Sequence, residues 1–449
     1  VTLPRSFVRP LVRPMVRSGA VGPYGGATYQ DGIHLNFASG NTTSGYYVKA
    51  VGAAPTVSPL TSLFTFTGGN QSMYMGPAGL LVASATNTPR IEYDASGNCR
   101  GLLMEAARTN LMTYSQDLAG ADWSALQSSI TSNATTAPDG TATADLVTED
   151  GGSSAHGYVN NRTLATSTTY TTSFWAKANG RTWVAFRATG TGWLNSDQAA
   201  FFNISGAGAV GTLGTGMTAT ITAAANGWYR CTCTYATAAA SGTGTGTRIA
   251  LASADTVQIY AGNSASGAYF WGVQQESGAF PSSYIPTTTG SVARTADSCI
   301  RTLGSEFSAT AGTVVVNVAD FISADVTANN CIASLDDATA NERLTLQRTN
   351  TAGAMRLNVF DGGANQAAVD GLSAISTAGV RLAYAFAAND FAISGNGGAT
   401  VTDGAGTLPT VSRLDLGSRL TGEHLWGHIR RFDYWPERKT NAFLVSAST

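Results

Sequence analysis

Charge is scarce in this chain. Only 12% of its residues are Asp, Glu, Lys or Arg, about half the share of an ordinary soluble domain. The formal net charge is −2, and phosphate binding needs a clear basic excess, so nucleic acid is not expected as a partner. No apolar run approaches the ~18 residues of a membrane span. The N-terminus lacks the apolar core of a signal peptide, and Val1 reads as a literally translated GTG start, which would make the chain complete. The five cysteines show no CxxC pair and no zinc spacing. Cys231 and Cys233 share one face if their segment is a strand, so they are poorly placed to bond each other. All five are expected as small apolar core residues of a protein made in a reducing compartment. The four histidines, His34, His156, His424 and His428, are scattered, and Gly427 splits the last two, which argues against a helical metal pair. A GxSxG elbow is missing, as is a dense Asp/Asn loop for calcium. No catalytic residue, metal or cofactor is expected.

What is abundant is glycine, at 51 residues, with Ala, Ser, Thr, Trp and Tyr. That mixture suits short strands and tight turns. At 449 residues the chain exceeds one ordinary core, and two or three domains are expected. Residues 1–20 repeat Val-Arg-Pro, with Arg5, Arg9, Arg13 and Arg17 and no acid. Prolines at 4, 10 and 14 forbid a regular helix and favour extended backbone. An arm with no core of its own orders only when something holds it, so it is expected to dock on another chain through an acidic groove or a sheet edge. Residues 21–115 alternate Gly-rich turns with short strand-like pieces. They read as an extended shaft or collar and a linker, too thin for a core and therefore dependent on homo-oligomerisation, with a trimer as the guess.

Residues 116–300 carry the first strong alternation. Tyr229, Cys231, Cys233 and Tyr235 take alternate positions, the period of a half-buried strand. Gly and Asn clusters separate such runs at sandwich spacing, which predicts a jelly-roll-like antiparallel sandwich. Residues 301–449 alternate again at Val314, Val316 and Val318, then at Met355, Leu357 and Val359, and predict a second sandwich. The predicted class is all-β: an extended N-terminal arm, then two antiparallel β-sandwiches. Between shaft and sandwich lies the stretch 98–123, NCRGLLMEAARTNLMTYSQDLAGADW. It reads as a structural junction in which Asn110 or Thr109 turns the backbone and Glu105 pairs with Arg108 if the turn is helical.

Residues 101–105 (GLLME) and 108–111 (RTNL) resemble the opening of a module found in tailed-phage virion proteins. The likeness continues through 137–140 (APDG), 173–177 (SFWAK), 227–230 (GWYR) and 271–276 (WGVQQE), then 283–287 (SYIPT) and 294–297 (RTAD), over roughly residues 80–300. Such modules occur in head spikes, head fibres and tail fibres of phages and gene transfer agents, and are similar to carbohydrate-binding jelly rolls. Residues 427–431 (GHIRR) and 434–438 (YWPER) more loosely resemble concanavalin A-like or laminin G-like sandwiches. There, residues 439–444 (KTNAFL) replace the usual leucine-rich closing turn. The resemblance implies a virion component, assembled in the bacterial cytoplasm, whose partners are other virion proteins (capsid, portal-vertex or tail). It supplies no catalytic residues.

Function therefore points to a fibre or spike subunit that displays its sandwiches for attachment to host-surface polysaccharide. Sugar binding needs an exposed aromatic platform with polar neighbours. Trp193, in a Gly-rich turn, is the first candidate, followed by Trp183 and Trp426. Trp123, Trp175, Trp228 and Trp271 fall in the module's motifs and are expected in its core. Purely structural decoration is the alternative. A capsule depolymerase is the weaker one, because Asp336, Asp337, Glu342, Asp361 and Asp370 form no paired-carboxylate run and read as solvated loop acids.

Overall fold

A computed structural model describes residues 30–40, 46–189, 198–238, 246–322, 329–350, 353–372, 377–420 and 422–449. The arm with Arg5, Arg9, Arg13 and Arg17, and the Trp193 turn, lie outside them. The chain is all-β, and among the described residues every ladder between strands is antiparallel. Helix is confined to single short pieces such as Asn441–Ala447, whose first turn is capped by the Thr440 hydroxyl accepting from the Phe443 N–H. No described helix is long and apolar enough to cross a membrane.

The strands build two sandwiches, but not one after the other. The first is discontinuous in sequence. Its ten-stranded sheet runs, in spatial order, through Thr56–Val57, Tyr46–Lys49, Gly32–Asn36, Gly427–Trp435, Ala311–Phe321, Ala378–Ala387, Asp390–Gly395 and Val401–Asp403. Cys99–Met104 also pairs with Gly427–Trp435, and Ile91–Tyr93 pairs with Cys99–Met104. The facing seven-stranded sheet takes Thr65–Thr67 as an edge strand beside Ser298–Thr302. One core holds Ile33, Leu35, Phe37, Tyr46, Leu60, Phe66 and Leu102 together with Val314, Val316, Leu357 and Phe432. Each such aliphatic side chain, fully buried, contributes about 1.5–3 kcal/mol.

Residues 30–104 are therefore not an extended shaft. The short strands look thin in sequence because their partners lie hundreds of residues away: Leu35 sits opposite Phe432. With the shaft goes the reason for expecting an oligomer, since these apolar residues are covered within the chain. Glycine permits one close approach. Gly101 has φ +122°, and a Cβ there would lie 2.4 Å from the Ile429 carbonyl oxygen.

The second sandwich is inserted into the first. The chain enters it through Arg108–Asn110 and leaves through Val292–Arg294, and these two strands pair with each other, Arg108 opposite Arg294. Between them stand two six-stranded sheets. Phe174, Phe186, Phe202, Cys231, Cys233, Tyr235 and Phe270 share their core. Cys231, Cys233, Cys299 and Cys331 are buried; Cys99 is only partly so.

Candidate functional site

Two places gather chemistry: the joint between the sandwiches and an outer face of the inserted one.

The joint absorbs most of the junction motif. Arg90 and Arg294 are fully buried, as are Glu105 and Asp297. The Arg90 guanidinium donates to Glu105 at 2.8 Å and pairs with Asp297. Arg294 lies 3.6 Å from Glu105 and donates to the Ala106 carbonyl at 2.7 Å. The Ser283 N–H donates to Glu105 at 2.9 Å. Burial alone would raise the Glu105 carboxyl, but Arg294 and Arg90 hold it well below the usual carboxylate range. The helical turn expected from Glu105 to Arg108 is absent: one strand ends at Met104 and the next begins at Arg108. Arg108 lies 3.4 Å from Glu276. Its guanidinium sits over the rings of Phe280 and Trp426, 4.9 and 4.7 Å from their centroids. Trp426 meets Phe280 edge to face at 4.9 Å. Trp426 is thus a joint residue with one face covered by Arg108, not an open sugar platform. Trp175, Trp228 and Trp271 are buried nearby with Tyr284, Met73 and Leu81, and Trp123 is buried in the inserted core.

The outer face is set by strand alternation. Along Trp183–Thr189, Val184 and Phe186 enter the core while Trp183, Ala185 and Arg187 point away from it. Along Gly246–Ala252, Ile249 and Leu251 enter and Arg248, Ala250 and Ala252 point away. The register places Trp183 opposite Ala252, Ala185 opposite Ala250 and Arg187 opposite Arg248. On the other side Phe201 stands opposite Ala185, and Ala199 opposite Arg187. The small side chains Ala185, Ala199, Ala250 and Ala252 and the Phe201 ring are buried there, and Trp183 and the two arginines stand half-exposed at the edge. Trp183 is half-buried against this patch. Arg187 and Trp183 are four residues apart, roughly 13 Å along the strand.

The turn after Ala252 closes the patch. Asp255 accepts from the Thr212 N–H and hydroxyl, both at 2.9 Å, which pins the turn to the neighbouring edge strand. Gln258 is buried. Its carbonyl oxygen accepts from Arg187 at 3.4 Å, and its amide nitrogen is enclosed without a hydrogen-bond partner among the described residues. Trp183 was legible as a candidate in the sequence. The arginines were not singled out, because only the register makes them neighbours.

The acids read as solvated separate into two kinds. Asp336 is fully buried, ion-paired to Arg413 at 2.5 Å and accepting from Ser334 at 2.7 Å. Burial pushes neighbouring Asp415 up to about 7, although the Ser418 hydroxyl donates to it. Both carboxyls are sealed, at 0% and 2% exposure, so as placed they do not flank a sugar chain. Asp337, Glu342, Asp361 and Asp370 are loop or strand-end groups engaged locally, for example Asp370 with Arg356 at 2.6 Å. His428 is buried between Asp320 and Glu92, 2.7 Å from each.

No protein-family model matches the chain, and no curated protein matches it. Among solved structures it is similar to the CBM40 module of a Ruminococcus gnavus IT-sialidase bound to α2,3-sialyllactose, at 16% identity and TM-score 0.28, covering 32% of this chain and 84% of that one. It is also similar to NanB sialidase from Streptococcus pneumoniae, as its K499G mutant, at 17% identity and TM-score 0.27, over 32% of this chain and 24% of that one. A third is the binding domain of botulinum neurotoxin DC in complex with SialylT, at 10% identity and TM-score 0.27, over 34% and 40%. Likeness this slight says nothing about a ligand.

Proposed function

We propose that the chain is an attachment protein that holds saccharide on the outer face of its inserted sandwich. The observation that carries this reading is Trp183, half-buried on the outward side of its strand, with Arg187 half-exposed on the same side four residues on. A partly exposed aromatic ring with a polar neighbour is what a sugar ring and its hydroxyls require. The motif series 101–105, 283–287 and 294–297 supports placing the protein on a phage or phage-like particle as a fibre or spike subunit. In that setting the arm with Arg5, Arg9, Arg13 and Arg17 would dock on capsid, portal-vertex or tail protein.

The test is glycan-array binding of the full chain and of Trp183→Ala. Loss of the aromatic wall is expected to weaken binding about tenfold, the order of one aromatic contact. Silence across the array, or unchanged binding by the variant, overturns the site. Particle incorporation of a chain lacking residues 1–20 tests the docking role separately; incorporation at the full level removes it.

A further inference from the structure

We propose that His428 is a proton latch on the coupling between the two sandwiches: as an imidazolium it holds Glu92, Glu92 holds the hairpin that packs on the inserted sandwich, and loss of the proton frees that hairpin. His428 is fully buried on Gly427–Trp435, an interior strand of the ten-stranded sheet. Its Nδ1 lies 2.7 Å from an Asp320 oxygen and its Nε2 lies 2.7 Å from a Glu92 oxygen. A carboxylate only accepts, and a neutral imidazole has one donor. Both contacts are satisfied together only when both ring nitrogens carry protons.

The surroundings suit a cation. Asp320 stands opposite His428 on Ala311–Phe321, and Glu92 comes from Ile91–Tyr93. Arg100, from Cys99–Met104, lies 3.0 Å from Asp320 and 3.5 Å from Glu92. Two carboxylates thus face two cations. Deprotonation leaves both carboxylates to Arg100 and turns a nitrogen lone pair toward a carboxylate oxygen. Burial by itself would lower the His428 pKa, but the hydrogen bonds to Asp320 and Glu92 outweigh it and raise it. Burial would likewise raise both carboxyls, yet His428 and Arg100 hold them below the usual carboxylate range, so the protons sit on the ring. The further charged or titratable groups within reach of Glu92 are Tyr74 and Arg230.

The other Glu92 oxygen accepts from the Met75 N–H at 3.2 Å. Met75 lies in the hairpin Met73–Met75 and Leu81–Ala83, whose Met73 and Leu81 pack with Trp175, Trp228 and Trp271 of the inserted sandwich. A line of contacts therefore runs from the ten-stranded sheet, through one imidazolium, to the other core. Because the folded value is raised, the contribution of His428 is complete below the ordinary imidazole value of 6.5 and is lost as pH rises through the raised one.

The experiment reads the ring and the hairpin in the full-length protein. Nitrogen NMR of the histidine-labelled chain is expected to show both His428 nitrogens protonated one unit above the ordinary 6.5, the signal being assigned by its loss in H428Q. Amide exchange of residues 73–83, corrected for the intrinsic base-catalysed rate, is expected to speed up about tenfold as pH crosses the His428 midpoint, the worth of one charged hydrogen bond. In H428Q exchange is fast on both sides of that midpoint. D320N keeps the ring and is expected to lower its midpoint by about one unit, which serves where H428Q does not fold. E276Q removes a second group that titrates near neutrality and is expected to leave the pH response in place. A neutral His428 tautomer at that pH, an unmoved midpoint in D320N, or exchange of 73–83 that ignores the midpoint overturns the latch. A response that vanishes in E276Q assigns the effect to Glu276 and overturns it as well.

Discussion

Arg90 shows what a single side chain contributes at the joint. It is fully buried and contacts Glu105, Asp297 and Ser283. A buried ion network is weak evidence for net stability, but removing one partner strands the others. Arg90→Met is expected to cost about 3–5 kcal/mol, read as a shifted urea midpoint at unchanged slope. Glu276 behaves differently. Burial pushes its carboxyl from 4.5 to about 7, against the pull of Arg108 and Arg230. The folded chain thus holds this proton more tightly than the unfolded chain. The stabilisation is complete below pH ~4.5 and is lost as pH rises through about 7. Glu276→Gln stays neutral throughout, so between pH 5 and 8 it should lose less stability than wild type, by about 3 kcal/mol. Urea titrations at the two pH values check this.

At the level of elements, the hairpin Met73–Met75 and Leu81–Ala83 belongs by sequence to the discontinuous sandwich and by packing to the inserted one. The Met73 N–H donates to the Tyr284 carbonyl at 2.7 Å, and Met73 and Leu81 sit in the cluster of Trp175, Trp228 and Trp271. This contact, with the Arg108–Trp426–Phe280 stack, couples two cores that are otherwise separate. Met73→Asp places a charge in that cluster. It is expected to resolve one calorimetric transition into two, the inserted sandwich melting apart from the other; a single transition of lower midpoint would mean that the hairpin does not couple them. The strand Trp183–Thr189 carries its site in the same manner. Its alternation, legible in the sequence, sends Val184 and Phe186 inward and Trp183 and Arg187 outward. Nothing local in it announces Arg248, 61 residues on.

At the level of the whole molecule, the insertion explains why both strands of the connecting ribbon fall in sequence motifs. Residues 108–111 and 294–297 mark the two chain crossings, and Glu105 and Asp297 are tied there by paired backbone and side-chain hydrogen bonds. A chain that must leave one core, build another and return to the same sheet needs its two exits held together, and the buried arginines hold them. The sequence alone determined the all-β class, the antiparallel alternation, the alternating valines of Ala311–Phe321 and the buried tryptophans of the motifs. These follow from period-two patterning and side-chain size, which act within a few residues. Only the tertiary structure decided that residues 30–104 complete a sheet with residues 427–435, that Trp426 belongs to a joint, that Asp336 is buried, and that Arg187 faces Arg248. Each depends on strand order and register, and those are set by how distant apolar faces cover one another, a property that no local stretch of chain encodes.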